Sequence, residues 1–127
     1  MNADAPVLNR ISRRTIGCAL TVANTLGCGF LEKVCENALA YELRRAGLTV
    51  HQQAGVAVRY HGVVVGQYIA DLLIEQAVAV ELKAVRAIDN VHRAQCVNYL
   101  KASNLRLCLL LNFGRPGLEI HRLVWRL

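Results

Sequence analysis

Apolar residues recur at helical spacing along residues 8–26: Ile11, Thr15, Cys18, Ala19, Val22 and Leu26 share one side, with Arg10, Arg13 and Arg14 mostly on the other. Gly27 is a stop signal. After a break at Cys28-Gly29 the same spacing returns over 30–46, with Leu31, Val34, Cys35, Ala38 and Leu39 inward and Gly47 as a C-terminal cap. From Leu48 the period changes. TVHQQ, VAVRY, VVVGQYIADLLI and AVAVELKAV are rich in valine and isoleucine and are punctuated by His61-Gly62 and Glu75-Gln76, which predicts a meander of strands. Residues 89–103 return to helical spacing with Asp89 or Asn90 as N-cap, and LRLCLLLNF and LEIHRLVW read as strands joined by a GRPG turn. The order predicts one α/β domain over residues 1–127, with a mixed sheet flanked by helices. The helical crossover makes AVAVELKAV and LRLCLLLNF parallel, with a right-handed connection.

Within this pattern three charges stand in apolar surroundings. In YIADLLI, strict alternation puts Ile69 and Leu73 on Asp71's side and Ala70, Leu72 and Ile74 on the other, so the strand reads as buried on both faces. An ionised carboxylate there must be paired, hydrogen-bonded or bound to metal. In the next strand Val78, Val80 and Leu82 share one face, while Glu81 and Lys83 lie together on the opposite one. A reversal at Glu75-Gln76 brings Asp71 opposite or diagonal to Glu81, with Cβ atoms roughly 5 to 8 Å apart, so that one divalent ion could bridge them. A cross-strand cluster in which Lys83 simply neutralises both acids fits the same pattern.

Composition narrows the functional classes. Hydrophobic residues at 54% and charged residues at 19% exclude a disordered tail. No apolar stretch approaches a membrane span, and the N-terminal residues lack the apolar core of a secretion signal, so a cytoplasmic protein is expected. Five scattered cysteines without a C-x-x-C pair read as buried free thiols, and four dispersed histidines offer no paired metal ligands. The net charge of +6, carried mostly by arginine, is compatible with a nucleic-acid partner and equally with a solvating surface. An excess of apolar surface on the helices and final strand over what one core can bury would point to a homodimer.

Two further features carry a resemblance. Glu32 lies in GFLEKVCENALAYEL, and Gln95 and Tyr99 are four apart on one helical face. The succession G-x-x-E (Gly29, Glu32), a strand Asp (Asp71), E-x-K (Glu81, Lys83) and Q-x-x-x-Y (Gln95, Tyr99) resembles the GxxExxY family of the PD-(D/E)xK nuclease superfamily. The words IADLLIE, VAVELKAV and AQCVNYLKAS followed by LCLLLNFG are similar too, and the likeness runs from about Leu8 to Trp125.

The resemblance implies a restriction-endonuclease-like core of helix, three-stranded meander, helix and strand. It implies a Mg²⁺- or Mn²⁺-dependent phosphodiesterase acting on nucleic acid, with DNA the expected substrate. Asp71 and Glu81 would ligate the ion with the Leu82 carbonyl, and Glu32 would complete or orient the shell. Lys83 would position the attacking water and stabilise charge on the phosphate, while Gln95 and Tyr99 would support the site or contact the backbone of the nucleic acid. Cys35 replaces the family's tyrosine and reads as a buried filler. A non-catalytic nucleic-acid-binding or assembly module that retains the fold is the alternative.

Overall fold

The computed structural model of the chain describes residues 4–127. Helix α1 (Ala5–Leu26) starts at Asp4, whose side chain accepts from the Val7 N–H, and α2 spans Glu32–Arg45. Strands β1 (Val50–Tyr60), β2 (Val63–Ile74) and β3 (Val78–Lys83) form the meander. Helix α3 (Asn90–Ser103) crosses over to β4 (Leu107–Asn112), and β5 (Glu119–Val124) completes the sheet. Expected and observed elements agree, with local differences. The first two helices start at Ala5 and Glu32 rather than at 8 and 30, and TVHQQ and VAVRY are one continuous strand. Gly47 ends α2 as expected: it takes φ +90° just past Ala46, its N–H donates to the Arg44 carbonyl, and the Leu48 N–H donates to the Leu43 carbonyl.

The five strands run in the order β1-β2-β3-β4-β5; β3 and β4 are parallel, as a helical crossover requires, and the other pairs are antiparallel. Two apolar layers cover the sheet. On one face Leu72, Val78, Val80, Leu82, Leu109 and Leu111 pack with Leu8, Val22, Leu39 and Leu43 of α1 and α2. On the other, Ala70, Ala79, Cys108 and Leu110 meet Cys96, Tyr99 and Leu100 of α3. β4 is buried along its whole length, as expected for a central strand covered on both sides.

β2 corrects the expectation of a strand buried throughout. It pairs with β3 only through Leu72, Leu73 and Ile74, and its residues from Val63 to Ile69 are exposed, Ile69 at 51%. Strict alternation also fails at Asp71, because Ala70 belongs to the α3 layer and Leu72 to the α1/α2 layer although they are two residues apart. The cause lies across the ladder. Between the Gln52–Leu72 and Ala54–Ala70 pairs, Gln53 adopts φ +55°, a left-handed conformation that a non-glycine residue holds only when its surroundings enforce it. The hairpin turns there, and β2 peels away from β3.

Candidate metal and nucleic-acid site

At Asp71 the regular β2–β3 pairing, which runs over Leu72, Leu73 and Ile74, has ended. Ladder hydrogen bonds are replaced by side chains: the Asp71 N–H donates to Glu81 Oε1 at 3.1 Å, and the Leu82 N–H donates to Asp71 Oδ2 at 2.8 Å. Asp71 and Glu81 are therefore cross-strand neighbours, as the meander predicts, and each keeps a second carboxylate oxygen for other partners. Lys83 follows on Glu81's side of β3 and is half-buried. Among the described residues no ion pair joins Lys83 to either acid, although its positive charge favours ionisation of Asp71, Glu81 and Glu32.

Helix α2 brings Glu32 near enough to Asp71 and Lys83 to feel both charges. Gly29 takes φ +100° in the connecting loop, a conformation glycine adopts without a Cβ clash, and Glu32 then stands in the first turn of α2 at the positive end of its dipole. Desolvation raises the Glu32 carboxyl above its ordinary value, and the charge of Asp71 adds to this, while Lys83 and the Ala84 backbone N–H pull the other way. Asp71 is raised by burial against the opposing Leu82 N–H and Gln53 amide. Glu81 is pushed up to about 8, first by burial and then by Asp71. Three acids thus share one region without enough positive charge to keep all of them ionised.

Around them is a polar network that sequence reasoning did not find. Glu36 is 3% exposed, one turn along α2 from Glu32, and its Oε1 accepts from Lys33 Nζ at 3.0 Å and from Gln53 Nε2 at 2.8 Å. The same Gln53 nitrogen donates to Asp71 Oδ1 at 3.3 Å, and Gln52 Nε2 donates to Glu36 Oε2 at 2.8 Å. The sequence offered only a weak hint, since Glu36 adjoins Cys35 of the inward stripe of α2 and two glutamines stand together in a strand. A second lock holds the segment after Lys83. Buried Asn112 accepts from the Val85 and Gly114 N–H groups and donates to the Val85 carbonyl and Glu119. Gly114 packs against the backbone of Ala84 and Val85 so closely that a Cβ has no room.

The remaining expected residues separate. Tyr99 is buried, and its hydroxyl donates to the Ala54 carbonyl at 3.1 Å. It lies near enough to Glu81 for that charge to help raise its phenol, after burial and the Cys108 thiol. Gln95, one turn earlier, is exposed. Cys35 is buried, and desolvation raises its thiol above the ordinary value, in keeping with a filler. All five cysteines are free, but only Cys35, Cys96 and Cys108 are buried; Cys28 is exposed because its loop runs outside both layers.

The donors fit a hard divalent cation. Among the described residues no three His, Cys, Asp or Glu side chains already stand around one point. Mg²⁺ needs fewer, since it keeps several waters and is commonly held by one or two carboxylates plus substrate phosphate. Asp71 and Glu81 supply such a pair, with Glu32 at the rim.

A family profile of the PD-(D/E)XK nuclease superfamily matches residues 9–123, and the chain belongs to that superfamily. Its mixed sheet between helices is the restriction-endonuclease-like α/β fold. The chain is also similar in fold to the solved structure called "Crystal structure of SSO0001", with a TM-score of 0.59 and 16% identity over 75% of this chain and 50% of that one. It spans about half the length of that protein. No curated protein matches the chain. Among the described residues no helix is long and apolar enough to cross a membrane.

Proposed function

We propose that the chain is a single nuclease-like domain of the GxxExxY branch that hydrolyses phosphodiester bonds in DNA with Mg²⁺ or Mn²⁺. The observation that carries this reading is the pairing of Asp71 and Glu81 across β2 and β3 with Lys83 beside them and unpaired to either acid. Asp71 and Glu81 would hold the ion, with the Leu82 carbonyl as a further oxygen and Glu32 orienting the shell. When bound, the ion supplies Lewis-acid polarisation of the phosphodiester.

The chain's own residues do the rest. Lys83 Nζ positions the attacking water and stabilises the negative charge that builds on the phosphate. Gln53 orients Asp71 while anchored on Glu36. Tyr99 braces β1 against α3 next to Glu81, and Gln95, exposed on the same helix, would meet the nucleic-acid backbone. A cytoplasmic location accords with five free thiols. Apolar side chains exposed on the hairpin and on β5, among them Val63, Val65 and Val124, would support a homodimer, read out by light scattering.

Incubation with single- and double-stranded DNA in Mg²⁺ or Mn²⁺ tests the activity. Cleavage is expected, and its failure to exceed Glu81→Ala and Lys83→Ala controls on every substrate overturns the catalytic reading. Calorimetry with Mn²⁺ separates a binding module from an enzyme: ion binding that needs Asp71 and Glu81 is expected of the enzyme and absent from the module.

A further inference from the structure

One concavity lies apart from Asp71 and Glu81, neither of which lines it. It is a groove of about 660 Å³ between the β1–β2 hairpin and the C-terminal half of α3, lined by Val56, Arg59 and Tyr68 on one side and Asn98, Lys101 and Ala102 on the other. No acidic residue lines it. Arg59 and Lys101 are exposed, and among the described residues neither is held by an ion pair or a side-chain hydrogen bond. Tyr68 is 37% exposed, and its hydroxyl accepts from Asn98 Nδ2 at 3.4 Å.

The groove and the acidic pair share strand β2. Tyr68 precedes Asp71 by three residues on β2, roughly 10 Å at the rise of a strand. Asn98 adjoins Tyr99, whose hydroxyl is bonded to Ala54, the partner of Ala70. A chain leaving the groove along β2 therefore arrives at Asp71 and Glu81.

We propose that this groove is the track for one unpaired DNA strand entering the site, with a base on the Tyr68 ring and phosphates met by Arg59 and Lys101. The inference rests on the nuclease reading and names its substrate. Three properties favour a single strand over a duplex. The volume falls in the range of roughly 300–1,000 Å³ typical of ligand-sized clefts, which admits individual nucleotides but not a double helix. An exposed aromatic ring stacks on a base only when that base is unpaired, and apolar walls set with cations are the usual composition of single-strand channels. Free cations in a groove without acids give the charge complementarity that a phosphate backbone requires.

Fluorescence anisotropy of the full chain with a labelled single-stranded DNA oligonucleotide, in EDTA so that nothing is cleaved, tests the groove apart from the chemistry. The single strand should bind more tightly than its duplex. Arg59→Ala with Lys101→Ala should weaken binding about tenfold or more and flatten its salt dependence. Tyr68→Leu should weaken it about fivefold or more, whereas Tyr68→Phe, which keeps the ring, should bind like the parent. Arg10→Ala with Arg13→Ala, both exposed on α1 across the sheet from the groove, serves as the control for net charge, and melting curves confirm that the variants are folded. Unchanged affinity in the double variant, equal binding by Tyr68→Leu and Tyr68→Phe, or preference for duplex overturns the groove, as does tighter binding of RNA of the same sequence for the DNA assignment. If groove variants lose binding while the parent shows no Mn²⁺-dependent cleavage, the groove stands and the catalytic reading falls. If the parent cleaves duplex DNA and groove variants cleave it equally well, the groove falls and the catalytic reading stands.

Discussion

Glu81 concentrates the physical tension of the site, because burial and Asp71 both oppose its ionisation and lift it from 4.5 to about 8. Between those values the folded chain keeps a proton that the unfolded chain has released. The folded state then binds more protons, so stability falls as pH rises through this window, by up to about 1.4 kcal/mol per pH unit from this group. Asp71 and Glu32 are displaced in the same direction and reinforce the trend. Thermal melts of the metal-free chain from pH 5 to 9 should show a declining Tm that Glu81→Gln flattens; a pH-independent Tm would contradict the crowding. Asp71→Asn should likewise leave the metal-free Tm unchanged or higher, since Asn retains an acceptor for the Leu82 N–H, whereas a neutralised ion-pair cluster would lose stability. Asp71, Glu81 and Lys83 were legible in the sequence because a charge in an apolar strand is conspicuous. Gln53 and Glu36 were not: a glutamine in β1 and a helix glutamate look solvated until folding sets the Gln53 amide between Glu36 and Asp71.

At the level of elements, the connection from β3 to α3 matters to Lys83 as much as the strand that carries it. That connection is fixed at one end by Asn112 and Gly114 and at the other by a capping box, in which Asp89 accepts from the Val91 and His92 N–H groups and His92 Nδ1 accepts from the Asp89 N–H. Asp89→Ala should cost about 1 kcal/mol in urea denaturation, the usual worth of an N-cap. Gly114→Ala forces a methyl into the Ala84–Val85 backbone and should cost about 1–3 kcal/mol, with cleavage reduced beyond the loss that the unfolded fraction explains because Lys83 shifts with the segment. Asp89 was readable as a cap from its place before a helical pattern. The role of Gly114 was not, because GRPG reads as a plain turn and the backbone it lies against is remote in sequence.

For the whole molecule, the layers on the two sheet faces create one region where α2, the β2–β3 divergence and α3 converge. Mn²⁺ at about 100 times its Kd should therefore stabilise the chain by about 2.7 kcal/mol, and the gain should vanish in the combined Asp71→Asn, Glu81→Gln variant, as differential scanning calorimetry can measure. The sequence by itself determined the order of helices and strands, the parallel pairing of β3 with β4 and the Asp71–Glu81–Lys83 set, because apolar periodicity and side-chain alternation are local properties. Only the tertiary structure decided that β2 parts from β3 at Asp71 while staying paired with β1, that Lys83 forms an ion pair with neither acid, and that a groove carrying Arg59 and Lys101 lies on the same hairpin. Those features depend on contacts between distant segments: the left-handed turn at Gln53, the Glu36 anchor and the packing of α3 against the hairpin. No local period encodes such contacts, and they gather Asp71, Glu81 and Lys83 where the β2–β3 pairing ends.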